Sequence, residues 1–238
     1  MTYNSIPDMF FSQVHKLGSK VMQRSKRGGK WIDITWTETG DIVQEIACGL
    51  LSLGLGKRDT VALLSATRAE WSELDIGIEA AGGITVPIYP SNTAEQAEYI
   101  ANNSESKFLI VENNAQLDKM LSVRKNMPNI KTIIVIDGPV EKKEGIILLD
   151  DLKRHGREHR GEYAEIIKER ISGMGRDDVA SIVYTSGTTG PPKGVILTHG
   201  NFLAEAESVS QIQDSRSGEV GYLFLPLAHL YARVLLYY

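Results

Sequence analysis

Thr60-Val-Ala-Leu-Leu-Ser65, the run Thr67 to Ala81 closed by Gly82-Gly83, and Ile84-Thr-Val-Pro-Ile88 together decide the fold. The first is a short apolar run without polar alternation, which reads as a strand buried on both faces. The second has helix length and ends on two glycines, and the third is again a short β-branched run. A strand, a helix and a strand in that order form a βαβ unit, the building block of a parallel sheet covered by helices on both faces.

The same alternation extends in both directions. Upstream, an amphipathic stretch (about Pro7 to Arg24) and a basic loop (Arg24 to Lys30) precede an alternating strand, Lys30 to Thr35. Thr35-Trp-Thr-Glu38 then supplies a capping box for a helix carrying Ile42, Ile46, Leu50 and Leu53, stopped by Gly54-Leu-Gly56. Downstream, Thr93-Ala-Glu-Gln96 opens a helix, and the strands Lys107 to Glu112 and Lys131 to Asp137 flank another near Gln116 to Lys125. The polar, charged segment Glu141 to Arg176 reads as a peripheral excursion or as a boundary between two sheet subdomains. A second series follows: strand Val179 to Tyr184, strand Gly194 to Thr198, a helix from about Asn201, and strand Val220 to Leu225. The expected fold is α/β, with mainly parallel, Rossmann-like sheets flanked by helices. Residues 30–140 or so form the first subdomain and residues from about 177 to 238 begin the second.

Composition removes several function classes. Apolar residues at 42% and charged residues at 24% exclude a disordered chain. With 26 Lys and Arg against 30 Asp and Glu, the net charge of −4 gives no polyanion-binding surface, so nucleic acid is not an expected partner. Cys48 stands alone, which forbids an internal disulfide or a thiolate metal cage and suits a reducing compartment. No apolar run approaches the ~20 residues of a membrane span, and the start lacks the pattern of a signal peptide. A cytoplasmic protein is expected, with peripheral membrane association and a homodimer left open.

Chemistry concentrates in Tyr184-Thr-Ser-Gly-Thr-Thr-Gly-Pro-Pro-Lys-Gly194, directly after a buried strand. Its glycines let the backbone approach a ligand and turn N–H groups inward as an anion nest. Thr185, Ser186, Thr188 and Thr189 add hydroxyl donors, and Lys193 adds a full positive charge. A polyphosphate is the natural guest. A plain glycine-rich hairpin would not need four hydroxyls. Nor is this a Walker A loop, because Lys193 follows Pro192 and precedes Gly194, where that motif needs Lys followed by Ser or Thr.

Extended through Val-Ile-Leu-Thr-His-Gly-Asn201, the segment resembles the AMP-binding signature of the adenylate-forming superfamily, which includes acyl-CoA synthetases, luciferases and peptide-synthetase adenylation domains. The likeness continues in Ile34-Thr-Trp36, Arg68-Ala-Glu-Trp71, Gly83-Ile-Thr-Val-Pro-Ile-Tyr-Pro90 and Leu225-Pro-Leu-Ala-His-Leu-Tyr231. The wording is most like the long-chain fatty acyl-CoA synthetase branch. The resemblance implies a two-step reaction: a carboxylate attacks the α-phosphate of ATP to give acyl-AMP and pyrophosphate, and the thiol of coenzyme A then displaces AMP. Bringing a carboxylate to about 4 Å from a phosphate charge costs roughly 4 kcal/mol at an effective dielectric of 20, about a thousandfold in rate. Lys193, the loop N–H groups and Mg²⁺ on the phosphates together offset such a cost.

By the same resemblance, Thr185, Ser186, Gly187, Thr188, Thr189, Gly190 and Lys193 surround the β- and γ-phosphates, and Thr185 also contributes to Mg²⁺ binding. His229 matches the position beside the acyl carboxylate and α-phosphate, and Tyr231 lies where it lines the acyl channel. One departure stands out: the branch reads His-x-x-Glu-Arg, whereas this chain has His229-Leu-Tyr-Ala232-Arg233. The later motifs of the family (a glutamate that helps hold Mg²⁺, an acid that grips the ribose, a C-terminal domain with a catalytic lysine) do not occur in these residues. The chain therefore reads as the N-terminal portion of a longer AMP-forming fatty acid–CoA ligase. An aryl- or amino-acid-activating relative and a nucleotide-binding fragment without turnover are the alternatives, the latter favoured by the apolar ending Val234-Leu-Leu-Tyr-Tyr238.

Four other histidines carry less, and His15 reads as a surface residue. His155-Gly-Arg-Glu-His159 spells a zinc-peptidase pattern, but a glycine and surrounding charges point to a solvated face. His199 either caps the next helix or stands behind the site. Cys48 reads as a core residue of its apolar helix.

Overall fold

A computed structural model describes residues 3–139, 144–185, 190–212 and 219–237. In chain order the elements are α1 (Ile6–Leu17), β1 (Val21–Arg27), β2 (Lys30–Thr35), α2 (Trp36–Ser52), β3 (Thr60–Leu64), α3 (Ala69–Ala80), β4 (Ile84–Ile88), α4 (Ala94–Asn103) and β5 (Phe108–Val111). These are followed by α5 (Asn114–Ser122), β6 (Thr132–Val135), β7 (Ile146–Leu148), α6 (Leu149–Glu158), α7 (Arg160–Ser172), β8 (Val179–Thr185), β9 (Lys193–Thr198), α8 (His199–Ile212) and α9 (Leu230–Tyr237).

Strands β3 to β9 form one seven-stranded sheet in the order β7-β6-β5-β3-β4-β8-β9. Every pair is parallel except β8 with β9. Alternation along each strand divides the core: Val61 and Leu63 face one apolar layer with α1, α2, α3, α6 and α7, while Ala62 and Leu64 face the other, with α4 and α5. The α/β class is thus as read from sequence. Strands β8 and β9, read there as a second series, join the same sheet through a single ladder pair, Thr85 with Ser181. The joint is reinforced by the Ser181 hydroxyl, which donates to the Thr85 carbonyl at 2.7 Å.

Local signals explain the element ends. Thr35 and Glu38 form the expected capping box at the start of α2, and Thr93 with Gln96 does the same for α4. Gly54, at φ +88°, takes the left-handed conformation that ends α2.

Three sequence expectations fail. The basic loop Arg24 to Lys30 is instead the tip of a β1–β2 hairpin, turned at Gly28 and Gly29 with φ of +55° and +81°. Two adjacent glycines are the signal for a two-residue hairpin turn. The stretch Val220 to Leu225 is irregular, because it pairs with no strand among the described residues. Its alternation is real, but Val220, Tyr222 and Phe224 are exposed. The charged segment 144–176 is neither excursion nor boundary: β7 extends the sheet, and α6 packs on α2. Gly156 makes that contact; a Cβ there would overlap the Glu45 carbonyl oxygen.

Candidate active site

In a parallel sheet the chain leaves every strand at the same edge, and ligands of open α/β sheets bind outside those carboxyl ends. Thr185 ends β8 at that edge and stands directly opposite Lys193, the first residue of β9. Directly opposed residues of an antiparallel pair share a face, so a hydroxyl and an ammonium flank the mouth of the hairpin together. Both are exposed to solvent. Gly190 lies between them with φ +91°, a conformation glycine adopts without strain. Ser186, Gly187, Thr188 and Thr189 lie outside the described residues.

The second motif arrives at the same edge from the far end of the chain. Thr67, just past β3, donates its hydroxyl to the Leu225 carbonyl at 2.6 Å and accepts the Leu227 N–H at 3.1 Å. This clamp fixes Leu225-Pro-Leu227 across the carboxyl end of the sheet, and Leu227 and Ala228 are buried. His229 follows as an exposed residue whose Nδ1 accepts the Tyr231 N–H at 3.3 Å. Tyr231 is 58% exposed at the start of α9. Thr67 carries no motif, and only the fold brings it to this place.

Beneath these motifs is a charged cluster that the sequence reading missed. Arg233 is fully buried. Its guanidinium donates to both Asp75 oxygens at 2.9 and 3.1 Å, to Glu79 at 3.3 Å, to the Ser181 hydroxyl at 2.6 Å and to the Tyr237 hydroxyl at 2.9 Å. Tyr237 in turn donates to Asp75. Phe202 and Trp71 lie 4.6 and 5.5 Å from the guanidinium carbon, in cation–π range. Two carboxylates against one guanidinium would leave a net buried charge. Burial first, and then the neighbouring Asp75, push the Glu79 carboxyl well up, which favours its neutral form and lessens that excess. Four acids, Glu70, Glu73, Asp75 and Glu79, on a helix that also carries Trp71, Leu74, Ile76, Ile78 and Ala80 were the available signal.

His199 belongs to the same buried region. The cap of α8 is Thr198, whose hydroxyl accepts the Asn201 N–H at 3.2 Å while Asn201 accepts the Thr198 N–H at 2.9 Å. His199 is instead 2% exposed, accepts the Ile6 N–H at 3.4 Å, and lies 3.9 Å from Glu79. Burial pushes its imidazole down to about 4, keeping it neutral. The His155 and His159 rings lie 6.4 Å apart and tilted where α6 gives way to α7, and no group of three metal-binding side chains occurs among the described residues. No helix among those residues is long and apolar enough to cross a membrane.

The two motifs at one sheet edge are those of a known family, whose sequence pattern, that of AMP-binding enzymes, matches residues 10–238. The chain belongs to the AMP-binding enzyme family. Among its relatives, the long-chain-fatty-acid–CoA ligase ACSBG2 of Xenopus laevis is 32% identical over 236 residues, covering 97% of this chain and 32% of that protein. The long-chain-fatty-acid–CoA ligase FadD15 of Mycobacterium bovis is 33% identical over 235 residues, covering 98% of this chain and 38% of its own. The chain thus spans about a third of the length of these relatives. Among solved structures, the anthranilate CoA ligase AuaEII with anthranoyl-AMP superposes with a TM-score of 0.70 at 25% identity, over 86% of this chain and 36% of that one. The long-chain-fatty-acid-CoA ligase FadD1 from Archaeoglobus fulgidus shares the fold, with a TM-score of 0.78 at 21% identity over all of this chain and 45% of its own.

Proposed function

We propose that these residues supply the nucleotide-phosphate part of an AMP-forming fatty acid–CoA ligase, acting on ATP, a fatty acid and coenzyme A. The observation that carries this reading is the signature hairpin itself: Lys193 and Thr185 face each other at its mouth, at the carboxyl edge of the sheet. An oxygen of the fatty carboxylate attacks the α-phosphorus of ATP, the bond to the β-phosphate oxygen breaks, and pyrophosphate leaves. The thiol of coenzyme A then attacks the acyl carbon, its proton is lost, and AMP leaves with the bonding pair.

In this reading Lys193, Thr185, Gly190 and the intervening Ser186, Gly187, Thr188 and Thr189 hold the β- and γ-phosphates. His229 contacts the acyl carboxylate and α-phosphate, and Tyr231 lines the acyl path. Mg²⁺ bound to ATP keeps most of its ligands as phosphate oxygens and water. The single exposed hydroxyl of Thr185 fits one position of such an ion, whose chemistry is to neutralise phosphate charge. A cytoplasmic location agrees with the lone Cys48, which has no second cysteine in these residues to pair with.

The test is acid-dependent exchange of pyrophosphate into ATP by the full-length protein, with fatty acids of graded length, anthranilate and amino acids supplied separately. Exchange driven by fatty acids supports the proposal. Exchange driven by an aryl or amino acid alone moves the protein to another branch, and none with any acid refutes it.

A further inference from the structure

The site rests on two pieces that are distant in sequence, and one side chain touches the supports of both. Strand β8 carries Thr185 and the signature loop, yet it joins the parallel sheet by only the Thr85–Ser181 ladder pair. Ser181 lies four residues before Thr185 on the same face of β8, given the two-residue alternation of a strand. Its hydroxyl has one hydrogen, given to the Thr85 carbonyl at 2.7 Å, and its lone pair receives Arg233 Nη1 at 2.6 Å. Arg233 lies one turn into α9, and its N–H donates to the His229 carbonyl at 3.4 Å. The other side of the guanidinium grips Asp75 and Glu79 on α3, a helix buried along nearly its whole length.

We infer that Arg233 is a positioning residue: through Ser181 and α3 it sets the placement of the His229 turn relative to the strand that bears the phosphate loop. This rests on the proposed reaction, in which His229 and the loop act on the same ATP. Arg233 itself touches no reacting group. Its worth is geometric, since a displacement of about 1 Å between groups meeting at one phosphorus costs on the order of a hundredfold in rate. A buried ion pair is not by itself a reason for stability. A second feature sets this one apart from a simple structural pair, namely that its neutral arm ends on the only ladder pair of the β4–β8 joint.

The departure at Ala232 fits this arrangement. Ala232 is fully buried in the apolar layer, and the acids that accept hydrogen bonds from Arg233 come from α3, 154 and 158 residues away in sequence. In this chain the arginine therefore functions without an acidic neighbour at that position.

The experiment uses the full-length protein with Arg233→Lys, which keeps the charge but loses the fork, and Ser181→Ala, which removes only the bridging hydroxyl. Each is measured for kcat and KM in fatty-acid-dependent exchange and for backbone hydrogen exchange. Both variants are expected to lower kcat about 10- to 100-fold with the KM for ATP within about twofold. The double variant is expected to be little worse than Arg233→Lys alone, because the two groups act in series. Peptides from β8 and from Leu225–Ala232 should lose protection together, while those of β5 and α5 do not change. Unchanged kcat in Ser181→Ala, or losses that simply multiply in the double variant, would overturn the inference. Loss of protection confined to α9 would also overturn it. That last reading needs no turnover, so it decides the matter even if the wild-type protein exchanges pyrophosphate with no acid and the proposed reaction itself fails.

Discussion

Replacing Gly156 by alanine is expected to destabilise the protein although alanine is the better helix former. Gly156 lies inside α6, where the helix crosses α2. An added Cβ would overlap the Glu45 carbonyl oxygen and stand 2.6 Å from the Glu45 carbonyl carbon and 3.0 Å from its Cα. Carbon atoms in contact rest about 3.5–4.0 Å apart, so the helices must separate by roughly 1 Å. The obstacle is backbone and has no rotamer to yield. Overpacking of this kind costs about 1–3 kcal/mol, and a backbone clash belongs at the upper end. Helix propensity returns up to about 1 kcal/mol on going from glycine to alanine. The net expectation is a loss of about 2 kcal/mol, or roughly 4–8 °C for a domain of this size. Gly161, near the start of α7, is the control, since nothing lies within 4 Å of a Cβ built there. Gly161→Ala should therefore raise stability by up to about 1 kcal/mol. Urea titration of parent and both variants reads the two signs directly. If Gly156→Ala is as stable as the parent, or if both alanines shift stability in the same direction, the close α2–α6 approach is wrong.

Two further substitutions probe the site's supports. Thr67→Val removes both hydrogen bonds of the clamp on Leu225 and Leu227, at about 1 kcal/mol each. It should speed hydrogen exchange in residues 225–229 and lower fatty-acid-dependent exchange of pyrophosphate while the sheet stays protected; unaltered protection there would show that Thr67 does not hold the motif. His199 has a folded-state value lowered to about 4 from 6.5, so it contributes stability that is present above pH 6.5 and lost as pH falls through about 4. The difference of 2.5 units corresponds to about 3 kcal/mol at full protonation. His199→Gln should flatten the decline of urea stability between pH 6.5 and 4, and a decline as steep as the parent's would place the acid sensitivity elsewhere.

The sheet was legible because buried parallel strands advertise themselves as unbroken apolar runs, as at Thr60–Leu64 and Phe108–Val111, and because Thr35 and Thr93 mark helix starts by their own side-chain chemistry. The β1 strand was obscured by its composition. Arg24, Lys26 and Arg27 are exposed on a hairpin, so nothing in their polarity signals a strand, and only Gly28-Gly29 does. The opposite error at Val220–Leu225 has the same root: alternation describes what a strand needs on its faces and says nothing of a hydrogen-bonding partner. In the candidate site, the loop and the stretch around His229 were readable as motifs because each is a contiguous run of sequence. Thr67, Ser181, Asp75 and Glu79 were not, since each owes its role to a contact that spans from about 50 to 160 residues of chain. Gly156 shows the same limit from another side. A glycine among charges looks like surface until the helix it must pass is known.

The central claim is that the hairpin mouth, with Lys193 at its base, binds the phosphates of ATP while a fatty carboxylate is activated. Lys193 is exposed, so its truncation should leave the fold intact. The direct measurement is fatty-acid-dependent exchange of pyrophosphate into ATP by the full-length parent and by Lys193→Ala at equal folded concentration, with urea stability recorded alongside. The account predicts robust exchange in the parent and a loss of about a hundredfold or more in the variant, as for removal of one preorganised transition-state donor, at unchanged stability. Exchange by the variant within about threefold of the parent's would contradict it.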